Sequence, residues 1–561
     1  MISAVCLKFR MPQIPAVRWV TGFSGEREIR SVRPAEIPER VLENFLSDAM
    51  QVAAGVRFSA ILSAAVLMLA GTVRPVCAQV SQYGDFPYQR RFLEEQLRPL
   101  IEPDFAAAAN ADRLVYDYGA VLRYAGVWFE DHGQPPLGDF QASRGAHLWE
   151  IRPWFSASYD DVHRGFIRGQ YGFQQYEKGD SYNRNSEWQG PFVDIGFYQL
   201  DIDEALRRYR CETIDSWAAD LTIGRQFLFL GRGIAFALIS DAVSLDAAVG
   251  DWGGLIFASR SIPHYDNIDI SAPNFDRSDR RFFGGQLEYQ AFDHHELYAF
   301  AVSQRDHSGE IFRAVDPATG MLVDVQRFDY DSEYWGVGAK GEMLFGLAEE
   351  AFGIPNLHYY TEFVLQTGKS YSAFGTGRRE SIRGWAADAG LTYLWNTPWQ
   401  PRIELELAQA SGDDDRAAPQ STGFGNLAGT IDRGFLGFGY VNTGVSFAPL
   451  LANLQFIRLG GAVSPFENCC RDCDFNWLRH MEVGVNGFAY WRPKNQGGTS
   501  DIRNDLPGEN FLGGEADLFV SWRLSSDLYM LLNYGIFLPN DQSFSDSSGR
   551  QFLSWNLNWL L

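Results

Sequence analysis

Arginines and carboxylates recur at every second position in several short stretches of this 561-residue chain. In "LWEIRPWF", Glu150 and Arg152 share a parity with Trp154, opposite Ile151, Pro153 and Phe155. In "RIELELAQA", Arg402, Glu404 and Glu406 oppose Ile403, Leu405 and Leu407. In "GEADLFVSWR", Glu515, Asp517 and Arg523 oppose Ala516, Leu518, Val520 and Trp522. In "LVYDYGAVLRY", Asp117 and Arg123 oppose Tyr116, Tyr118 and Leu122. A period of two is that of a strand. A guanidinium binds carboxylates through two parallel hydrogen bonds, and a ring of such groups in a watery passage replaces the hydration of an anion. Carboxylates on the same face either cancel the arginines across strands or, unpaired, favour cations. No Gly-x-Ser-x-Gly, His-Glu-x-x-His or phosphate-cradling loop is present. The chemistry on offer is therefore binding and passage of charged solutes, with no enzymatic step and no cofactor.

Other reactive groups read as structural. Asp413, Asp414 and Asp415 in "SGDDDR" could offer oxygens to Ca²⁺, but they lack the alternating spacing of a calcium loop and read as a solvated loop. His294 and His295 fall at a turn and read as interfacial. Cys211, Cys469, Cys470 and Cys473 are the cysteines downstream of residue 78. In an exported chain an even count favours disulfides or inert thiols over metal ligation, with the connectivity open.

The elements that must carry the alternating charges are strands. Mean hydropathy is −0.21, the formal charge is −22, and 15% of residues are aromatic. That is too polar for a bundle of membrane helices and too aromatic for an ordinary soluble domain. A transmembrane β-barrel reconciles the two: apolar residues face lipid, polar residues face a lumen, and aromatic girdles mark the interfaces. The final "QFLSWNLNWLL" shows the pattern, with Leu553, Trp555, Leu557, Trp559 and Leu561 on one face and Ser554, Asn556 and Asn558 on the other. Net acidity also disfavours nucleic acid as a partner. Arg57, the apolar run Phe58–Ala70 and "VCA" have the layout of a secretory signal. The expected organisation is an upstream segment mis-assigned to the chain (1–49), a signal peptide (50–78), a periplasmic lead-in (79–112) and an antiparallel barrel (113–561). At roughly 25 residues per strand and loop the barrel has about 16–18 strands. Short connections such as "FDHHE" and "LSSDL" suit periplasmic turns. Long polar ones, including "SGDDDRAAPQSTGFG", suit the outer face.

Five blocks in order resemble the alginate export porins of the outer membrane. They are "LWEIRPWFSASYDDVHRGFIRGQYGF", "ADLTIGRQFLFLGRG", "GWAADAGLTYLW" with "PRIELELAQASGDD", "LLANLQFIRLGG", and "GGEADLFVSWRLSSDLYMLLNYGIFLPNDQSF". The resemblance implies a passive outer-membrane channel for an anionic exopolysaccharide with an arginine-lined lumen. It places Arg152 and Arg225 on the substrate path, with Arg123, Arg402, Arg523, Glu150, Glu404, Glu406, Glu515 and Asp517 as further lining. The implied partners are an anionic polysaccharide or small solutes, outer-membrane lipid and periplasmic export machinery. The chain departs from the family where arginines are expected: Leu531, Asn533, Phe227, Ile195 and Gly196 stand there instead. A diffusion porin for small solutes on the same scaffold is the alternative. A barrel enzyme would need a serine and a histidine presented together at the membrane face, and no such pair stands out.

Overall fold

The computed structural model describes residues 114–561 except 131–142, 178–185, 211–215, 263–278, 293, 310, 316–318, 320, 328, 346–351, 374, 417–425, 468–475 and 501–504. The expected upstream segment, signal peptide and lead-in lie outside these residues, as do the four downstream cysteines.

Period-two alternation folds most of the described chain into strands. They are β1 (Leu114–Glu130), β2 (Ser143–Tyr159), β3 (His163–Tyr176), β4 (Glu187–Asp201), β5 (Trp217–Phe229), β6 (Ala237–Val249), β7 (Trp252–Arg260), β8 (Arg280–Phe292), β9 (His295–Asp306), β10 (Ile311–Val315), β11 (Leu322–Arg327), β12 (Asp331–Phe345), β13 (Phe352–Tyr371), β14 (Arg379–Leu394), β15 (Arg402–Ala410), β16 (Gln455–Val463), β17 (Met481–Trp491), β18 (Phe511–Arg523), β19 (Leu528–Pro539) and β20 (Arg550–Leu560). Eighteen form one sheet, while β10 and β11 make a separate hairpin in the β9–β12 connection. Each barrel strand pairs antiparallel with its neighbours in sequence, and β1 closes on β20 from Val121↔Leu560 to Glu130↔Gln551. Over that span closure leaves no edge, so the paired backbone groups of the wall are satisfied without water. Eighteen strands is the upper end of the expected range.

The outward face is apolar. Ile256, Phe283, Trp335, Phe363, Leu405, Leu459, Leu518 and Trp559 are all exposed on it. The terminal strand follows the parity read from sequence: Asn556 and Asn558 are buried inside while Trp559 is exposed. Connections are short at one rim, as at Asp160–Val162 and Gly250–Asp251, and long at the other. One nine-residue helix, α1 (Ile202–Arg210), follows β4 at the short-turn rim. Asp201 caps it by accepting the Glu204 N–H at 2.9 Å.

The lumen is not uniformly polar, contrary to the pattern expected of a simple aqueous channel. Phe257, Phe282, Tyr298, Phe300, Val302, Tyr334 and Val364 point inward from β7–β9, β12 and β13 and are buried. Two long-rim connections fold inside and cover them. The β5–β6 connection supplies Leu230, Ile234, Ala235 and Phe236, and the β15–β16 connection supplies Phe435, Leu436 and Phe438. Each such side chain contributes roughly 1.5–3 kcal/mol of apolar burial. A wall that would be costly facing water is stable against a plug.

Candidate functional site: the lumen and its plug

The plug is held by backbone and side-chain contacts. Phe236 and Phe438 form an isolated parallel bridge. Around it, the Ala237 N–H donates to the Phe438 carbonyl at 3.0 Å, Phe438 to Ala235 at 2.8 Å, and Tyr440 to Gly233 at 2.8 Å. The two connections thus act as one body. The wall grips it at several places. On β18, Glu515 accepts N–H groups from Val445 (2.7 Å), Ser446 (2.6 Å) and Phe447 (2.9 Å). On β13, Gln366 accepts the Leu436 N–H at 2.9 Å, and Glu362 accepts the Arg232 N–H at 2.6 Å. Gly444 lies at φ 101° with a Cβ position only 2.5 Å from the Tyr490 hydroxyl and 2.6 Å from Glu515 Oε1, so a side chain there would unseat the turn.

The plug corrects the reading of "SGDDDRAAPQSTGFG" as an outer, solvated loop. Its described parts turn inward: Asp413 is buried and accepts from Asn426 Nδ2 at 3.0 Å and from the Arg433 N–H at 2.8 Å, while Arg416 pairs with Asp432. Asp414 is half-exposed and pairs with Lys494 at 3.3 Å. These carboxylates brace a fold. His294 has a φ of 72°, as a turn residue does, and His295 Nδ1 lies 3.0 Å from the Tyr359 hydroxyl.

Ionisable groups cover the rest of the inner wall in two arcs. On β1–β4, Arg123 meets Glu150 at 3.4 Å and donates to Asn556 at 3.2 Å. Arg152 bridges Glu150 at 3.0 Å and Asp194 at 3.3 Å, and Arg168 takes Asp194 at 2.8 Å. Gln170 also donates to Glu150. Among the described pairs here, three guanidiniums thus share two carboxylates. On β13–β18 the balance reverses. Arg402 pairs with Glu404 at 2.8 Å and with Glu482. Arg458 pairs with Glu406 at 2.5 Å and Glu404 at 3.5 Å. Arg232 reaches in from the plug to Asp388 at 3.5 Å and stacks on the Tyr360 ring, 3.5 Å from its centroid. Glu362, Glu515 and Asp517 add further inward carboxylates, all buried.

The alternation therefore places Arg123, Arg152, Arg402, Glu150, Glu404, Glu406, Glu515 and Asp517 on the inner face. Arg523 follows the same parity but ends at the short-turn rim, donating to the Ser526 carbonyl at 3.1 Å. Asp117 is exposed near the free start of β1. Arg225 is a correction. The β5–β6 register runs without a break from Trp217 to Phe229, so Arg225 keeps the outward parity of Ile223. There it pairs with Asp241 at 2.8 Å and donates to the Val193 carbonyl at 2.6 Å. Phe227 shares that outward parity, so its replacing an arginine leaves the lumen unchanged. Leu531 and Asn533 do face inward and are buried; two positively charged positions are absent from the wall there.

Sequence reading missed Arg168, Asp194, Arg458 and Glu482. The first was available from the shared parity of Arg164, Phe166, Arg168 and Gln170. Asp194 was not, because a register shift at Arg168/Gly169 leaves Val193 and Ile195 paired and Asp194 between them, re-aiming its carboxylate as a bulge does.

Solved structures similar to this chain include three proteins of Pseudomonas aeruginosa. OccK5 (OpdH) is 11% identical at a TM-score of 0.44, covering 79% of this chain and 98% of its own. OccK11 (OpdR) is 12% identical at 0.43, covering 80% and 96%. OpdK, solved with vanillate, is 10% identical at 0.44, covering 79% and 98%. Among curated proteins, a zeatin O-xylosyltransferase of Phaseolus vulgaris matches 103 residues at 27% identity, and a zeatin O-glucosyltransferase of Phaseolus lunatus matches 103 at 26%. The chain spans about a fifth of the length of these curated relatives, 21% in each case. The profile of the alginate export family matches residues 159–545, from the end of β2 to beyond β19. The chain belongs to the alginate export family.

Proposed function

We propose that this protein is a passive channel of the bacterial outer membrane, exporting an anionic, uronate-bearing polysaccharide along the β1–β4 arc of its lumen. The observation that carries the reading is the cluster of Arg123, Arg152 and Arg168 on three adjacent strands, where three guanidiniums share the described carboxylates Glu150 and Asp194. A polymer carboxylate can exchange with Glu150 or Asp194 for the same donors. Such partner exchange gives many weak sites of similar strength, which lets a chain slide instead of stick. The plug must shift for passage, since its Val445 packs against Val127, Phe129 and Ala146 directly beside this arc. The reading involves no cofactor and no covalent step. It includes a signal-directed route to the outer membrane and delivery of polymer by a periplasmic partner.

A second reading, a channel for small solutes, is favoured by the carboxylate-rich arc on β13–β18. The two separate in planar bilayers. With the mature protein under a salt gradient, added polyuronate blocks the current if the polymer is the cargo. Arg152→Ala then weakens that block about tenfold, the worth of one charge-assisted hydrogen bond. Unblocked current, with cation preference or none, removes the polymer and leaves the small-solute channel.

A further inference from the structure

Arg225, left outside the lumen, begins a row of charges on the outer face of the barrel. Its cross-strand partner on β6 is Asp241, whose partner on β7 is Arg260. Arg260 stands opposite Arg281 on β8, and Arg281 opposite Arg305 on β9. Beyond β12, Lys369 on β13 stands opposite Asp331. The row thus follows one level of the barrel at its long-loop end. Two steps along the strands toward the short-turn rim, about 7 Å, the same face becomes apolar. Phe283 follows Arg281 at 70% exposure and Trp335 follows Glu333 at 56%. The row therefore sits at the upper border of the lipid-facing band, where headgroups lie.

Three arginines on adjacent strands, about 4.8 Å apart, repel one another. The described carboxylates compensate them incompletely. Asp279 meets Arg260 at 2.9 Å and Arg281 only at 3.9 Å, and Glu333 takes Arg305 at 2.6 Å. The Arg260 and Arg281 side chains remain 58% and 61% exposed. The remaining arc of the barrel is different. Apart from Arg379 and Arg383 at the start of β14, beside Lys369, its outward residues at the same end include Trp128, Phe173, Trp188, Trp491, Phe511 and Leu538, with no further lysine or arginine among them. The cationic row is confined to one side, where a bound partner would sit, and is not a belt for general solubility.

We propose that Arg260, Arg281 and Arg305 bind the phosphate groups of a phosphorylated glycolipid in the outer leaflet, with Lys369 extending the site along the same level. The long loops place this end of the barrel outside. Arginine forks match phosphate oxygens bidentately, and the apolar residues beneath receive the acyl chains. The proposal rests on the outer-membrane placement of the barrel and is independent of its cargo.

The test uses the full mature protein in detergent, titrated with lipid A carrying both phosphates or enzymatically stripped of them, and read by native mass spectrometry. The diphosphorylated form is expected to bind roughly 100-fold more tightly, at about a factor of five per arginine near a charged headgroup. The triple variant Arg260→Gln, Arg281→Gln, Arg305→Gln is expected to lose that preference while its channel current stays unchanged. Equal affinity for both lipid forms in the wild-type protein overturns the proposal without any variant being needed. So does a folded triple variant that still prefers the phosphorylated form. Displacement of the lipid by millimolar inorganic phosphate would assign the row to free phosphate and overturn the glycolipid. Because block of the current by polyuronate is measured separately, failure here leaves the cargo assignment standing.

Discussion

Glu515 receives three successive backbone N–H groups, and nothing in the wall grips the plug by more bonds from a single side chain among the described residues. Its carboxylate is charge-matched to donors in a water-poor site, where hydrogen bonds to an ion are worth about 1.5–3 kcal/mol. Glu515→Gln keeps the shape but turns one acceptor oxygen into a donor. The variant is expected to lose on the order of 3 kcal/mol of plug docking, which shifts the closed-to-open ratio about 100-fold. Single-channel recording would show a raised open fraction, and limited proteolysis would show faster cleavage around 443–447. An unchanged open fraction with unchanged cleavage would mean that the plug is held elsewhere. At this scale the sequence was readable where the period of two ran unbroken. Glu150, Arg152, Glu404, Glu406, Glu515 and Asp517 all face the side their parity indicated. Arg225 was readable too, since its parity followed Leu221 and Ile223. Family resemblance pulled it inward, and geometry keeps it out.

On the proposed reading, the β15–β16 connection is the element that must move for passage. "FLGFGYVNTGVSF" looks like a glycine-rich strand, and alternation carries no sign that its Phe435, Phe438 and Phe447 pack inside the barrel. The complementary signal was dispersed over the wall as inward Phe257, Phe282, Phe300 and Tyr334, each of which reads locally as one more aromatic residue of a strand. A plug and its seat become visible only together. The connection can be removed cleanly, because the strand ends already meet: the Ala410 N–H donates to the Leu454 carbonyl at 2.7 Å. Replacing 411–453 by an Asn-Gly turn, which suits a two-residue hairpin between Ala410 and Leu454, is expected to leave the wall hydrogen bonding intact. The variant should still show the heat-dependent gel shift of a folded barrel, at a lower transition temperature because the inner aromatics meet water. Its conductance should rise several-fold. A folded variant with wild-type conductance would place the barrier to flow outside the plug.

At the scale of the whole molecule, Glu404 and Glu406 on β15 stand on nearly the opposite side of the lumen from Arg152 on β2. A barrel of 18 strands has a backbone diameter of roughly 35 Å at the usual spacing and tilt, whereas the screening length is about 10 Å at 0.1 M salt. On the proposed reading these two groups therefore do not cancel each other, and small ions and a polyanion would respond to different walls. Neutralising the acidic arc with Glu404→Gln and Glu406→Gln is expected to move the small-ion reversal potential toward anions while leaving polyuronate block unchanged. Arg152→Ala is expected to do the converse. Both shifts should fade at 1 M salt, where the screening length falls to about 3 Å. The experiment is cleanest in the plug-deleted protein, where both arcs are wetted. If the two substitutions move both observables together, the lumen behaves as one averaged charge, and transport along a separate basic arc is no longer tenable.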